Sequence, residues 1–144
     1  MWEAGDDGTS IMPVGLAATS AAASLSVEKS HPVIGVLGCG QVGAAVLRCL
    51  LELGWPPSLL ALCARDATAA VARFRALGVA TTPHVGVLAA RARILVIAVG
   101  PTHFEALAHD ISGTVPHNSL VISAVGAMSL AKVITRIFIQ LLQR

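Results

Sequence analysis

Residues 33–43 read Val-Ile-Gly-Val-Leu-Gly-Cys-Gly-Gln-Val-Gly, "VIGVLGCGQVG". Two patterns meet in this stretch. The apolar run over 33–37 fits a short strand buried on both faces. Gly38, Gly40 and Gly43 then follow in the spacing G-x-G-x-x-G. Over 41–53 the apolar residues Val42, Val46, Leu47, Leu50, Leu51 and Leu53 recur at helical spacing, and Gly54 supplies a stop. The stretch therefore reads as strand, glycine turn, helix.

Working outward, the same alternation repeats. "WPP" at 55–57 is loop, because neither proline continues a helix or a ladder. Residues 59–64 read as a second strand and 67–77 as a second helix. That helix is Ala-rich, with Arg73 and Arg75 near its end and Gly78 closing it. A short third strand is expected over 79–81 and a short helix over 85–92. "ILVIAV" at 94–99 is the strongest strand signal in the chain. A helix over 102–109, a strand over 120–124 and a helix over 129–142 complete the series. Strict alternation predicts an α/β fold, a doubly wound parallel sheet of the Rossmann type in one domain.

Composition bounds the rest. The chain has 144 residues, 55% hydrophobic and 12% charged, with no Tyr, three Phe and two Trp. Its core must be aliphatic. The net charge of +2 is small and unclustered, and aromatics are scarce, so no nucleic-acid surface is expected. Cys39, Cys49 and Cys63 form no C-x-x-C pair, which argues against a disulfide framework or a zinc site. Reduced thiols point to an intracellular, cytoplasmic protein. Cys49 and Cys63 read as core residues. Residues 1–31 are of a different kind. They are Ala/Ser-rich, acidic at the start, and match neither a secretory signal nor a presequence. They are expected to be a disordered leader, too short and interrupted to span a membrane.

A G-x-G-x-x-G between a strand and a helix is the context of a dinucleotide loop. Gly38 makes the tight turn, Gly40 lets backbone approach a pyrophosphate, and Gly43 lets helix and strand pack closely. Backbone N–H groups of Gly40, Gln41 and Val42 would meet the phosphates, with the helix dipole favouring negative charge. The alternative is a plain glycine turn in an unrelated α/β domain. The second strand decides between cofactors. An NAD site carries an acid at its end, whereas an NADP site offers a cation to the 2′-phosphate. Here Cys63 and Ala64 are followed by Arg65, which favours NADP(H), with Asp66 as counter-evidence one residue on.

"VIGVLGCGQVGAAVLRCLLELG", "LGVATTP", "ILVIAVGP" and "LVISAVGAMSL" follow one another with the spacing of pyrroline-5-carboxylate reductase. Residues 32–133 resemble the N-terminal cofactor domain of that family. The resemblance is closest to its vertebrate branch of NADP-dependent oxidoreductase domain-containing proteins. It implies that the loop with Cys39 binds pyrophosphate and that Arg65 serves the 2′-phosphate. It places Ala98, Val99, Gly100 and Pro101 in a turn along the nicotinamide ribose, and Ala124 and Gly126 in a small-residue turn near the ring. Two departures stand out. The family has lysine where this chain has Gly100. Its helical C-terminal domain, which builds the dimer and most of the substrate pocket, would begin where this chain stops at Arg144.

Two function classes follow. The first is an NADP-dependent oxidoreductase, moving hydride between NADPH and a small C=N or C=O substrate. The second is a catalytically inactive NADP-binding module or truncated isoform. An S-adenosylmethionine-dependent methyltransferase also uses a glycine loop, but its second strand ends in an acid, so it ranks last. No catalytic residue is assigned. Ser123 has no base beside it in sequence. His31, His84, His103, His109 and His117 form no metal spacing, and of these His103, just after the Gly100–Pro101 turn, is the one expected nearest the cofactor. Cys39 lies at a helix N-terminus, where a thiol's pKa can fall, although a small residue that merely fits is the simpler reading. The apolar residues after Val133 are expected to be exposed.

Overall fold

A computed structural model describes residues 33–142. The expected leader lies outside the described residues. Five strands form one parallel sheet: β1 (Ile34–Leu37), β2 (Leu60–Cys63), β3 (Ala80–Thr82), β4 (Ile94–Ile97) and β5 (Leu120–Ser123), in the spatial order β3-β2-β1-β4-β5. The helices are α1 (Gln41–Glu52), α2 (Ala69–Ala76), α3 (Val85–Arg91), α4 (Pro101–Ile111) and α5 (Leu130–Leu142). The predicted alternation holds throughout. The order reverses direction at β1, so the sheet is doubly wound and its switch point lies between β1 and β4.

Strand periodicity divides the core into two layers. On one face Ile34, Val36, Leu60, Leu62 and Val96 pack under Ala44 and Leu47 of α1 and Val71 and Phe74 of α2. On the other, Leu37, Leu95 and Ile97 pack with Leu88 of α3, Phe104 and Ile111 of α4, and Val133 and Ile137 of α5. Alternate side chains point to opposite faces, so every central strand must be apolar at every position, and β1 is buried throughout. No polar or charged residue is buried among the described residues.

Four expectations need correction. The "WPP" loop runs into a single 3-10 turn, Pro57–Leu59, because proline's fixed φ suits the first position of a turn. Cys49 is exposed, not core. It lies two residues beyond Leu47, and so on the far side of α1 from the buried residues Gly43, Ala44 and Leu47. Val42, seven residues before Cys49 and so on the same far side, is exposed as well, as is Leu53 just past the helix end. Finally, Ile137 is fully buried and Phe138 packs against the same cluster, so the apolar segment after Val133 is partly seated on the core.

Candidate functional site

The loops at the carboxyl ends of the strands are held side by side. Each begins one step past its strand with a bond that continues the ladder. Gly38 N–H donates to Cys63 C=O at 2.9 Å, Ala98 to Leu37 at 2.8 Å, Ala124 to Ile97 at 2.8 Å and Ala64 to Thr82 at 3.2 Å. A sheet that keeps register to its last residue thus sets the positions of all these loops.

The glycine loop is the tightest of them. Gly38 has φ +103°, a conformation that side chains disfavour, and a Cβ there would stand 2.7 Å from the Ala98 carbonyl oxygen. A Cβ at Gly43 would overlap the Gly38 carbonyl oxygen. Helix α1 therefore starts directly against the end of β1. Gly40, its N-cap, is extended and makes no side-chain cap. The first-turn amides of Gln41, Val42 and Gly43 have no intrahelical acceptors, and the first turn itself carries no acidic residue. The arrangement presents donors and a positive helix end to an anion.

A cleft of about 460 Å³ opens above these loops. Of the residues expected to bind cofactor, Gly38, Cys39, Gly40, Arg65, Ala98, Val99 and Gly100 line it. Gln41, Val42, Gly43, Pro101, Ala124 and Gly126 do not. Gly43 is buried behind the loop, and Ala124 and Gly126 are exposed at the far side, beside β5. His103 lines the cleft as expected, with its Nδ1 3.4 Å from Thr102 Oγ1. His84, His109 and His117 do not line it, and no group of metal-ligating side chains exists among the described residues.

The cleft also contains residues that the sequence reading missed. Thr68 is the N-cap of α2, its Oγ1 accepting from Val71 N–H at 3.3 Å, which leaves its hydroxyl hydrogen for another partner. A Thr just before a helical run is a legible cap signal, and it follows Arg65 closely. Pro83, Val85, Ala106, Leu107 and Asp110 form the cleft's other end, between the start of α3 and one face of α4. No motif marks them, because only the crossover of the two helices brings them together. Burial pushes the Cys39 and Cys63 thiols above the ordinary thiol range.

A parallel sheet of this order, with a glycine loop and a cleft at its switch point, defines a Rossmann-type dinucleotide-binding domain. A family model described as "NADP oxidoreductase coenzyme F420-dependent" matches residues 33–126, more than half of the chain. The chain belongs to that family, and its cofactor is NADP. No curated protein sequence matches it. Among solved structures it is similar to a pyrroline-5-carboxylate reductase from Coxiella burnetii, with 20% identity and a TM-score of 0.69 over 74% of this chain and 40% of that one. It is also similar to the Plasmodium falciparum pyrroline carboxylate reductase with NADP bound, at 18% identity and TM-score 0.64, covering 74% of this chain and 38% of that one. An imine reductase variant from Myxococcus stipitatus, in complex with NAD+, follows at 17% identity and TM-score 0.58, with 67% and 33% covered. The chain thus spans about 40% or less of the length of these structures.

The residues present fit NADP. Gly40 is open with nothing within 4 Å of an added Cβ, and Arg65 edges the cleft just past β2, with Asp66 next to it.

Proposed function

We propose that the chain is the cofactor half of an NADP-dependent reductase that acts on a C=N or C=O substrate, in the manner of pyrroline-5-carboxylate reductase. When bound, NADPH supplies a hydride from its nicotinamide ring. The chain's own residues bind and orient the cofactor. The first turn of α1 would hold the pyrophosphate. Arg65 would pair with the 2′-phosphate through its planar fork, and the Thr68 hydroxyl would add a donor. The small residues Ala98, Val99 and Gly100 would leave room along the nicotinamide ribose, and Ala124 and Gly126 would leave one face of the ring uncovered.

The observation that carries this reading is the corner after β2, where Arg65, the first charged residue past the strand, lines the cleft with Asp66 beside it. Titration with NADPH and NADH tests it, and preference for NADPH is the expected result. A charge-assisted bond contributes about 1.5–3 kcal/mol, so Arg65→Ala should weaken NADPH by about 10- to 100-fold and leave NADH nearly unchanged. Equal loss for both nucleotides would remove the 2′-phosphate role.

A second reading is an NADP-binding module without turnover. Gly100 in place of the lysine of resembling reductases favours it, as does the exposure of Ala124 and Gly126. Mixing the purified chain with NADPH and a cyclic imine separates the two. Substrate-dependent oxidation of NADPH supports the reductase, and binding without oxidation supports the module. S-adenosylmethionine should not compete with NADPH under either reading.

A further inference from the structure

We infer that β5 is the contact edge of a two-fold dimer of this chain, in which two copies join their sheets strand to strand. The inference is independent of the cofactor. The sheet has two edges, and they differ in kind. β3 is guarded: it is the short polar run Ala-Thr-Thr, Arg75 Nε donates to Thr81 Oγ1 at 2.9 Å, and Pro83 follows directly. β5 is Leu-Val-Ile-Ser, with no charge and no proline, and its Leu120 and Ile122 are exposed.

The apolar character continues onto α5. Lys132 and Arg136 reach Glu105 of α4, so that flank of α5 faces α4, which lies between α5 and α3. Leu130 and Ile134 stand roughly 160° around the helix from those two cations. They therefore look away from α4, past the β5 edge, and both are exposed. The edge presents Leu120 and Ile122 on one face of the sheet and Leu130 and Ile134 on the other. At 46–66% exposure the four side chains offer roughly 400 Å² of apolar surface, the size at which a patch marks a contact site.

The backbone selects the partner and the register. The N–H groups of Leu120 and Ala124 donate to the Arg93 and Ile97 carbonyls on the β4 side. The alternate residues Val121 and Ser123 therefore turn their N–H and C=O to the open edge. A second β5, running antiparallel, meets that edge with Val121 opposite Ser123 of the other copy and Ser123 opposite Val121 of the other copy. About four main-chain hydrogen bonds then form, and Ile122 faces its own counterpart on the axis. The adjacent registers would bring in Ser119 or Val125, whose N–H groups are already given to Pro116 C=O and Ser123 Oγ. A second copy is thus the occupant the edge fits: its hydrogen bonds are self-complementary and the strand carries no charge to repel itself. About 400 Å² per copy is half the standard interface. The dimer is accordingly weak, with a Kd of about 10–500 µM. At the dilution of an unfolding titration the chain is a monomer with this edge open.

Sedimentation equilibrium of the whole chain from about 1 µM to about 1 mM tests this. The expected mass rises from one copy to two and levels there. Ile122→Lys and Ile122→Glu should each weaken the dimer more than about tenfold, because like charges then meet on the axis, and an equimolar mixture of the two should restore it. Val121→Pro removes an outward N–H and no bond to β4, so it should weaken the dimer more than about tenfold with unchanged far-UV circular dichroism. That variant decides the matter if the charged ones fail to fold. A mass of one copy at every concentration would overturn the inference and leave the edge to a segment outside residues 33–142 or to a different protein. A mass that climbs past two copies without levelling overturns it as well. So does a dimer that Val121→Pro leaves intact, or one that the mixed, folded charge variants do not restore.

Discussion

At the scale of single residues, the three glycines of the loop are not equivalent. A methyl group at Gly43 would meet backbone, the Gly38 carbonyl oxygen, which cannot swing aside. Gly43→Ala should destabilise the domain toward the upper end of the roughly 1–3 kcal/mol typical of overpacking, read from a urea midpoint. A methyl group at Gly40 meets nothing within 4 Å. Gly40→Ala should change stability by less than about 0.5 kcal/mol yet weaken NADPH, because in the proposed site the new carbon would face the pyrophosphate. The motif assigns Gly40 to ligand approach and Gly43 to close packing of helix on strand, and the clearances at the two positions differ in the same sense. The thiols carry a second prediction. Burial raises Cys39 and Cys63 in the folded state, so each stays protonated to higher pH folded than unfolded. Their contribution to stability is whole below the ordinary thiol pKa and is lost as pH rises through the raised value. Unfolding midpoints should fall on alkaline titration above the ordinary thiol range. Cys39→Ala should flatten that fall, and an unchanged slope in the variant would assign it to other groups.

Among the elements, α5 shows which forces hold a helix on this sheet. Glu105 of α4 receives Lys132 Nζ at 3.5 Å and Arg136 Nε at 3.2 Å, but all three side chains are about half exposed. Pairs of that kind contribute about 0–1 kcal/mol. Val133 and Ile137, one turn apart, are buried in the cluster beneath. Ile137→Ala should therefore cost about 2–5 kcal/mol in thermal or urea unfolding, and Glu105→Gln less than about 1 kcal/mol. The reverse ranking would mean that charge rather than burial seats the helix. The existence and order of the elements were legible because short continuous apolar runs alternate with helical spacing of apolar residues from residue 33 onward. Helix exposure was less legible. Cys49, Val42 and Leu53 are apolar residues in or just past a helix that is apolar on more than one face, and spacing alone does not say which face is buried. The cleft residues Pro83, Val85 and Asp110 stayed hidden because they converge only through tertiary structure.

Across the whole molecule, the sheet ends in an asymmetry. β1, β2 and β4 are covered on both faces, but β5 stands at the edge with Leu120 56% and Ile122 46% exposed, because α1 and α2 do not reach that side. An apolar edge strand invites pairing with other chains. Leu120→Thr with Ile122→Thr should raise the concentration at which the protein begins to aggregate, measured by light scattering, and should leave stability within about 1 kcal/mol. A large loss of stability would mean that the face is covered in solution. Sheet order has a further consequence, for assembly of the chain as it is made. Ile34 of the central strand pairs with Leu60 on one side and with Ile94 on the other. At about 5–20 residues per second, roughly 3–12 s separate synthesis of β1 from synthesis of β4. During that interval the most buried strand of the finished domain is the newborn chain's open edge, and the glycine loop cannot close against Ala98 until β4 arrives.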